Sequence, residues 1–301
     1  GSLVWVWTVP VENAAFRVLP RRDGGGVWVN TNGSLGQPGW LFRVDWDGVY
    51  TEREIPFLSR DFQELPDGRI GTLVSELGLL GGSEVIVGDR IVEIGLDGDL
   101  TEIWNLFDDY PHDLGQIQRI ESTESTSMRD WGHANGLFWD PDGEDYVISL
   151  ANQETIVRVD GRTGALEWRL SDFEHASDFA FDEVLVDMPH SVQVLEDGSL
   201  LLFNRGQLCA TVLQVALDMD AMVATGDWSH ASSPCLVVPI MGQAVRIADG
   251  QTVISWSTAG VVDIVRPDGV TVWSLSLDLG AAFGFIEHRE DLGLQGEPIS
   301  P

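Results

Sequence analysis

The stretch AVRIADGQTVISWSTAGVVDIVRPDGVTVWSLSL, Ala244 to Leu277, reads as four short strands in succession. Ala244 to Ile247, Thr252 to Trp256, Val261 to Val265 and Val270 to Leu277 are apolar or alternating runs, and Asp249-Gly250 and Asp268-Gly269 mark the first and last turns between them. Asp-Gly between two such runs is a hairpin signature, because glycine reaches positive φ without a Cβ penalty. Four strands joined by hairpins form one antiparallel sheet.

The pattern recurs along the chain. The first turn returns at Asp23-Gly24, Asp67-Gly68, Asp142-Gly143 and Asp197-Gly198, and the second at Asp47-Gly48, Asp97-Gly98, Asp160-Gly161 and from Asp218 to Asp220. The fourth strand tends to carry an aromatic, Trp104, Trp168 or Trp273, suited to packing between neighbouring sheets. Repetition of such sheets predicts an all-β chain, a single-domain β-propeller of four-stranded antiparallel blades over residues 1–301. Leu3 to Thr8 (LVWVWT) resembles a fourth strand and Phe283 to Arg289 (FGFIEHR) a first. Six blades, the last closed by the two ends, are therefore expected, with five as the alternative. Longer connections are expected at Leu77 to Gly88, Asp108 to Arg129, Ser171 to Asp187 and Asp227 to Pro239, and Glu121 to Ser127 (ESTESTS) reads as disordered.

Asp and Glu total 48 against 17 Lys and Arg, a formal charge of −31. Such a surface repels phosphate backbones and anionic headgroups, so nucleic acid is not an expected partner, and an anionic ligand requires a locally basic or neutral opening. No run of about 18 apolar residues occurs, so membrane insertion is not expected. Two cysteines, Cys209 and Cys235, are too few for a disulfide framework or a Cys-ligated zinc site; whether they pair is open. Asp140, Asp142 and Asp145 (DPDGED) resemble a calcium loop in letters but fall on a repeat turn and read as a hairpin, so no metal and no cofactor are expected.

Aligned on their first strands, the units place WGHANGL (Trp131 to Leu137), MPHSVQV (Met188 to Val194) and MGQAVRI (Met241 to Ile247) in one register, with His133, His190 and Gln243 at the third position. Equivalent positions of innermost strands converge on a propeller's axis, and convergence is what a site requires. The bland alternative is that the two histidines tie neighbouring blades by hydrogen bonds and that Arg205 and Arg246 pair with carboxylates.

At these words the chain resembles the arylsulfotransferase family. DWGHANGLFWDPDGEDYVISLANQETIVRVDGRTGALEWRL, Asp130 to Leu170, is similar to the family's signature blade, with its His-x-Asn, a strand ending in Ser, then Thr-Gly and Trp. MPHSVQVLEDGSLLLFNRG and GQAVRIADGQTVISW resemble the blades that follow, and FGFIEHR takes the place of the terminal strand. The resemblance implies a six-bladed propeller, periplasmic or secreted, that moves a sulfuryl group between phenolic compounds through a histidine intermediate, without a nucleotide donor. It implies His133, His190 and Arg205 as catalytic residues and Asn135, Gln243, Arg246 and His230 as substrate-binding ones, acting on a small phenolic or aryl sulfate ligand. Two departures stand out: Ala151 occupies a position where many members have arginine, and Gln243 provides no third histidine, for which His230 is the nearest substitute. His112, His175 and His288 read as rim or surface residues. A non-catalytic binding or scaffold propeller is the alternative function, ahead of a metal-dependent hydrolase of the lactonase kind, which needs carboxylates and Asn at the axis.

Overall fold

A computed structural model describes residues 5–12, 15–33, 38–80, 84–109, 128–172, 177–181, 183, 186–206, 208–277 and 283–288. Within these, the five repeats fold as five antiparallel sheets whose strand order follows the chain. The first sheet holds β1 (Ala15–Pro20), β2 (Gly26–Thr31), β3 (Gly39–Asp45) and β4 (Tyr50–Ile55). The second holds β5 (Leu58–Glu64), β6 (Ile70–Leu80), β7 (Glu84–Ile94) and β8 (Leu100–Asn105), with β9 (Arg129–Asp130) added parallel to β7. The third holds β10 (Ala134–Asp140), β11 (Asp145–Leu150), β12 (Thr155–Asp160) and β13 (Leu166–Ser171); the fourth β14 (Pro189–Val194), β15 (Leu200–Asn204), β16 (Thr211–Asp218) and β17 (Val223–Ala231). The fifth holds β18 (Gln243–Arg246), β19 (Thr252–Ser255), β20 (Val261–Val265) and β21 (Thr271–Ser276).

All the turns predicted from Asp-Gly and its variants lie at hairpins of these sheets. The aspartate is there for a reason beyond polarity. Its carboxylate accepts the amide two residues on, as Asp47 from Val49 at 3.1 Å and Asp197 from Ser199 at 3.0 Å, which closes the turn locally. Part of the chain's acidity is thus spent on turn geometry.

Apolar layers fill the spaces between successive sheets. Trp104 packs with Trp131, Leu137 and Tyr146 between the second and third, and Trp168 with Phe179 and Leu202 between the third and fourth. Innermost strands touch in order, β1 with β5, β5 with β10, β10 with β14 and β14 with β18, which is the radial arrangement of a propeller. Polar side chains stitch these strands from one sheet to the next. Asp61 accepts the amide of Leu137 at 2.8 Å, Gln193 that of Arg246 at 2.7 Å, and Ser191 that of Ala244 at 3.2 Å.

Two expectations need correction. Leu77 to Gly88 is not an irregular connection over its described residues: β6 and β7 stay paired through Leu80 and Glu84. Its glycines read as loop residues, although the apolar alternation continues through them. The second correction concerns the sixth blade: five sheets form among the described residues, and the two ends do not pair with each other there. Trp7 packs on Phe42 and Tyr50 of the first sheet, with centroids 5.4 and 5.5 Å away. Residues 283–288 run between the fifth sheet and the first. Ser257 Oγ donates to the Phe283 carbonyl (2.7 Å), the Ile286 amide donates to Gln243 Oε1 (2.6 Å), and Arg17 pairs with Glu287 (2.9 Å). Among the described residues no sheet covers β21, and Trp273 is 47% exposed where Trp104 is 3% exposed. Leu3, Val4, Arg289, His112, His175 and Glu121 to Ser127 lie outside the described residues.

Candidate active site on the axis

Just before the inner strands of the third, fourth and fifth sheets the backbone makes the same left-handed kink, at His133 (φ 55°), Met188 (φ 49°) and Met241 (φ 63°). A bulge follows: Ala134 pairs with Leu150 and Gly136 with Ser149, while Pro189 pairs with Asn204 and Ser191 with Phe203. The bulged residues are therefore Asn135 and His190. Counted from the kink, His133 corresponds to Met188 and Met241, and His190 to Asn135 and Gln243, so the expected register holds between His190 and Gln243 while His133 is two residues out. Matching histidine to histidine by letter hid this, because kink and bulge leave no mark in apolar alternation.

His190 is 3% exposed. Burial, followed by the charges of Arg205, Arg60 and His133, pushes its imidazole well below 6.5, so the ring is neutral. The Gly242 backbone is a hydrogen-bond partner of the ring, while Nδ1 is buried without one among the described residues. The ring of Phe285 lies 5.6 Å away.

His133 is fixed by a carboxylate. Its Nδ1 is 2.5 Å from Asp130 Oδ2, and β9 carries Asp130 by pairing with β7. Burial would raise the Asp130 carboxyl, but the hydrogen bond and charge of His133 and the charge of Arg60 outweigh it and hold it below the usual range. An ionised Asp130 claims the proton on Nδ1, which leaves Nε2 as the ring nitrogen that can release or take up a proton. Below this pair, Asp89 accepts the Ala134 amide at 2.9 Å. Gly132 is required there, since a Cβ would stand 2.3 Å from Asp89 Oδ2. Burial, then the charge of Asp130, pushes the Asp89 carboxyl up to about 7. Asp61 is likewise pushed up to about 6 by burial, against the pull of Arg17, 3.0 Å away.

The other expected residues divide. Arg205 is 6% exposed and donates to the Pro239 carbonyl at 2.7 Å. A disulfide between Cys209 and Cys235, Cα atoms 5.6 Å apart, ties the two loops concerned. Asn135 donates to the Pro189 carbonyl at 3.4 Å, binding third sheet to fourth. Gln243 is committed to Ile286. Arg246 lies at the far end of β18, held by Gln214 at 3.0 Å and stacked over Trp228. His230 sits on the outer strand β17 between Trp228 and Trp256, with burial lowering its imidazole. It lines a separate cleft between the fourth and fifth sheets with Ser232 and Asp263. Neither Arg246 nor His230 joins the axial group. Asp140 and Asp145 are tied by Arg158, at 2.8 and 2.5 Å, as a turn support.

Arg17, Arg60, Asp61, Asp89, Asp130 and Phe285 escaped the sequence reading. Arg60 and Asp61 stand in a first strand, LSRDF, the same repeat position that drew attention to His190; the absence of histidine there masked them. An otherwise acidic chain thus gathers guanidiniums at its axis, beside two carboxyls whose protonation burial favours.

The family model for arylsulfotransferases (ASST) matches residues 7–208, and the chain belongs to that family. No curated protein matches it. Among solved structures it is similar to a protein of unknown function from Bacteroides caccae (TM-score 0.57, 13% identity, 92% of this chain and 86% of that one). It is also similar to catalytically inactive virginiamycin B lyase from Staphylococcus aureus with quinupristin (TM-score 0.51, 11% identity, 91% and 73%). A functionally unknown protein from Desulfotomaculum acetoxidans matches too (TM-score 0.53, 11% identity, 93% and 90%). At these identities the likeness is one of fold.

Proposed function

We propose that the axial site moves a sulfuryl group from a phenolic sulfate ester to a second phenol through His190. The observation that carries this reading is the state of that imidazole: neutral, buried, with Nδ1 unpartnered among the described residues, and bordered by Arg205, Arg60 and His133. A neutral imidazole is a competent nucleophile near pH 7, and guanidinium forks suit sulfuryl oxygens. In the first half-reaction the Nδ1 lone pair attacks sulfur. An N–S bond forms, the bond from sulfur to the aryl oxygen breaks, and the leaving phenolate takes a proton from Nε2 of His133, which enters this step protonated on both nitrogens beside Asp130 and leaves it neutral. In the second, the acceptor phenol returns a proton to that Nε2 while its oxygen attacks sulfur, the N–S bond breaks and His190 is restored. Asp130 holds the opposite nitrogen of His133 throughout, so the ring serves as acid and then base without turning. The ester itself is the donor, so the cycle is nucleotide-independent.

The test is turnover of 4-nitrophenyl sulfate with phenol as acceptor. Release of 4-nitrophenol is expected from the parent, with loss on His190→Ala and a fall of about 100-fold or more on His133→Ala. A parent silent across a broad set of phenols ends this reading. We place the protein in the periplasm or outside the cell, a reading the disulfide supports, since cytosolic thiols are kept reduced.

A second reading, a propeller that binds a phenolic, glycan or protein ligand unchanged, is favoured by Phe285 lying against His190 and by the commitment of Gln243. Ligand-dependent thermal stabilisation without product distinguishes it.

A further inference from the structure

We propose that Arg60 is a further catalytic residue of this site, its guanidinium taking the non-bridging oxygens of the sulfuryl group while that group passes over His190. The inference rests on the transfer reading above and adds a contact from the second sheet.

Its basis is a count of hydrogen-bond partners. Arg60 projects from β5, and its Nη1 donates to the Ala134 carbonyl at a long 3.4 Å. Its Nη2 stands 3.2 Å from His133 Nδ1. That nitrogen carries a proton bound for Asp130, 2.5 Å away, and so has no lone pair to offer. Asp130 itself is 3.9 Å from Nη2, an ion-pair distance and too long for a hydrogen bond. Arg60 is thus held in place by charge while its Nη2 hydrogens keep no good acceptor among the described residues. Its side chain is 20% exposed, against 7% for Arg17, which is committed to Asp61 and Glu287. The charges of Arg60, on β5, and of Arg205, which follows β15, both act on His190. A planar fork set against His133, the acid and base of the cycle, with donors to spare, is what a trigonal sulfuryl group needs as its bonds to nitrogen and oxygen exchange. No bond to Arg60 forms or breaks, and its proton count is unchanged through both half-reactions.

The experiment compares parent, Arg60→Met and Arg60→Lys with 4-nitrophenyl sulfate and phenol, and measures inhibition by phenylsulfonate, whose C–S bond cannot be transferred. Arg60→Met is expected to lower kcat/KM by about 100-fold or more. It is also expected to weaken phenylsulfonate inhibition at least about tenfold, because anion contacts are lost in the ground state as well. Arg60→Lys, which keeps the charge without the fork, is expected between the two. An active parent whose Arg60→Met variant stays within threefold overturns this inference and leaves the transfer reading standing. So does a loss of rate with phenylsulfonate inhibition unchanged, which a merely structural role for Arg60 would give. A silent parent overturns both. Should Arg60→Met fail to fold, Arg60→Lys decides: parental kinetics and inhibition overturn the inference, and a loss of about tenfold in each supports it.

Discussion

The ring of Phe285 stands 5.6 Å from the ring of His190, although 94 residues of sequence separate them. Arg17 lies 4.7 Å over the same phenyl group, so a residue of segment 283–288 forms one wall of the axial site. That wall shields an imidazole whose neutrality depends first on burial.

Replacing Phe285 with Ala is expected to cost about 2 kcal/mol of stability, less than a fully enclosed phenylalanine, and to admit water to His190. The imidazole should then titrate closer to 6.5. Histidine ring resonances followed by NMR across pH 4 to 8 check this, and an unmoved His190 curve would show that Phe285 contributes nothing to its environment.

Asp130→Asn removes the carboxylate that holds Nδ1 of His133 and balances the ring's charge. If the transfer reading is right, kcat should fall by about 100-fold, with the KM for the aryl sulfate little changed, because Asp130 acts through His133 and not on the ester. Equal losses in kcat and in donor affinity would place Asp130 elsewhere in the cycle.

Asp89 makes stability depend on pH in a stated direction. Its carboxyl is raised from 3.8 to about 7 by burial, so the folded chain holds the proton more tightly than the unfolded one. The stabilisation is complete below about pH 4 and is lost as pH rises through about 7. Between pH 5 and pH 8 this amounts to roughly 2–3 kcal/mol. Asp89→Asn should remove that part of the slope. Denaturant unfolding of both proteins at the two pH values tests it, and parallel curves would reject the assignment.

The Cys209–Cys235 bond closes a loop of 26 residues, worth about 3 kcal/mol in chain entropy. Cys235→Ser is expected to lower Tm by several degrees. It should also loosen the loop that carries Arg205, so activity should fall further than stability alone accounts for. Activity assayed well below both melting temperatures separates the two effects, and unchanged activity there would mean that Arg205 is positioned by Pro239 alone.

The hairpins were legible in the sequence because each depends on two adjacent residues whose chemistry is local: an aspartate that caps an amide and, in most of them, a glycine that takes positive φ. The buried Trp104 and Trp168 were legible for similar reasons, and Trp273 was placed on the right strand, where it is half-exposed among the described residues. The axial site was legible only in part. His133 and His190 were found by letter, yet their backbone equivalence was misread, since the left-handed kink at His133 and the bulge at His190 depend on pairing partners 41 or fewer residues apart that no single strand reveals. Arg60 and Asp130 owe their importance to a contact across 70 residues of chain, which local pattern cannot carry.

The stitching of inner strands has a direction. Asp61 serves Leu137 in the following sheet, and Ser191 and Gln193 serve Ala244 and Arg246 in theirs, so polar groups encode which unit succeeds which, while the apolar faces are alike in kind. Duplicating or transposing a unit to build a larger ring would strand buried amides at about 1–3 kcal/mol each unless the newcomer brought its own acceptor. Neighbour order in this molecule is written in a handful of oxygens.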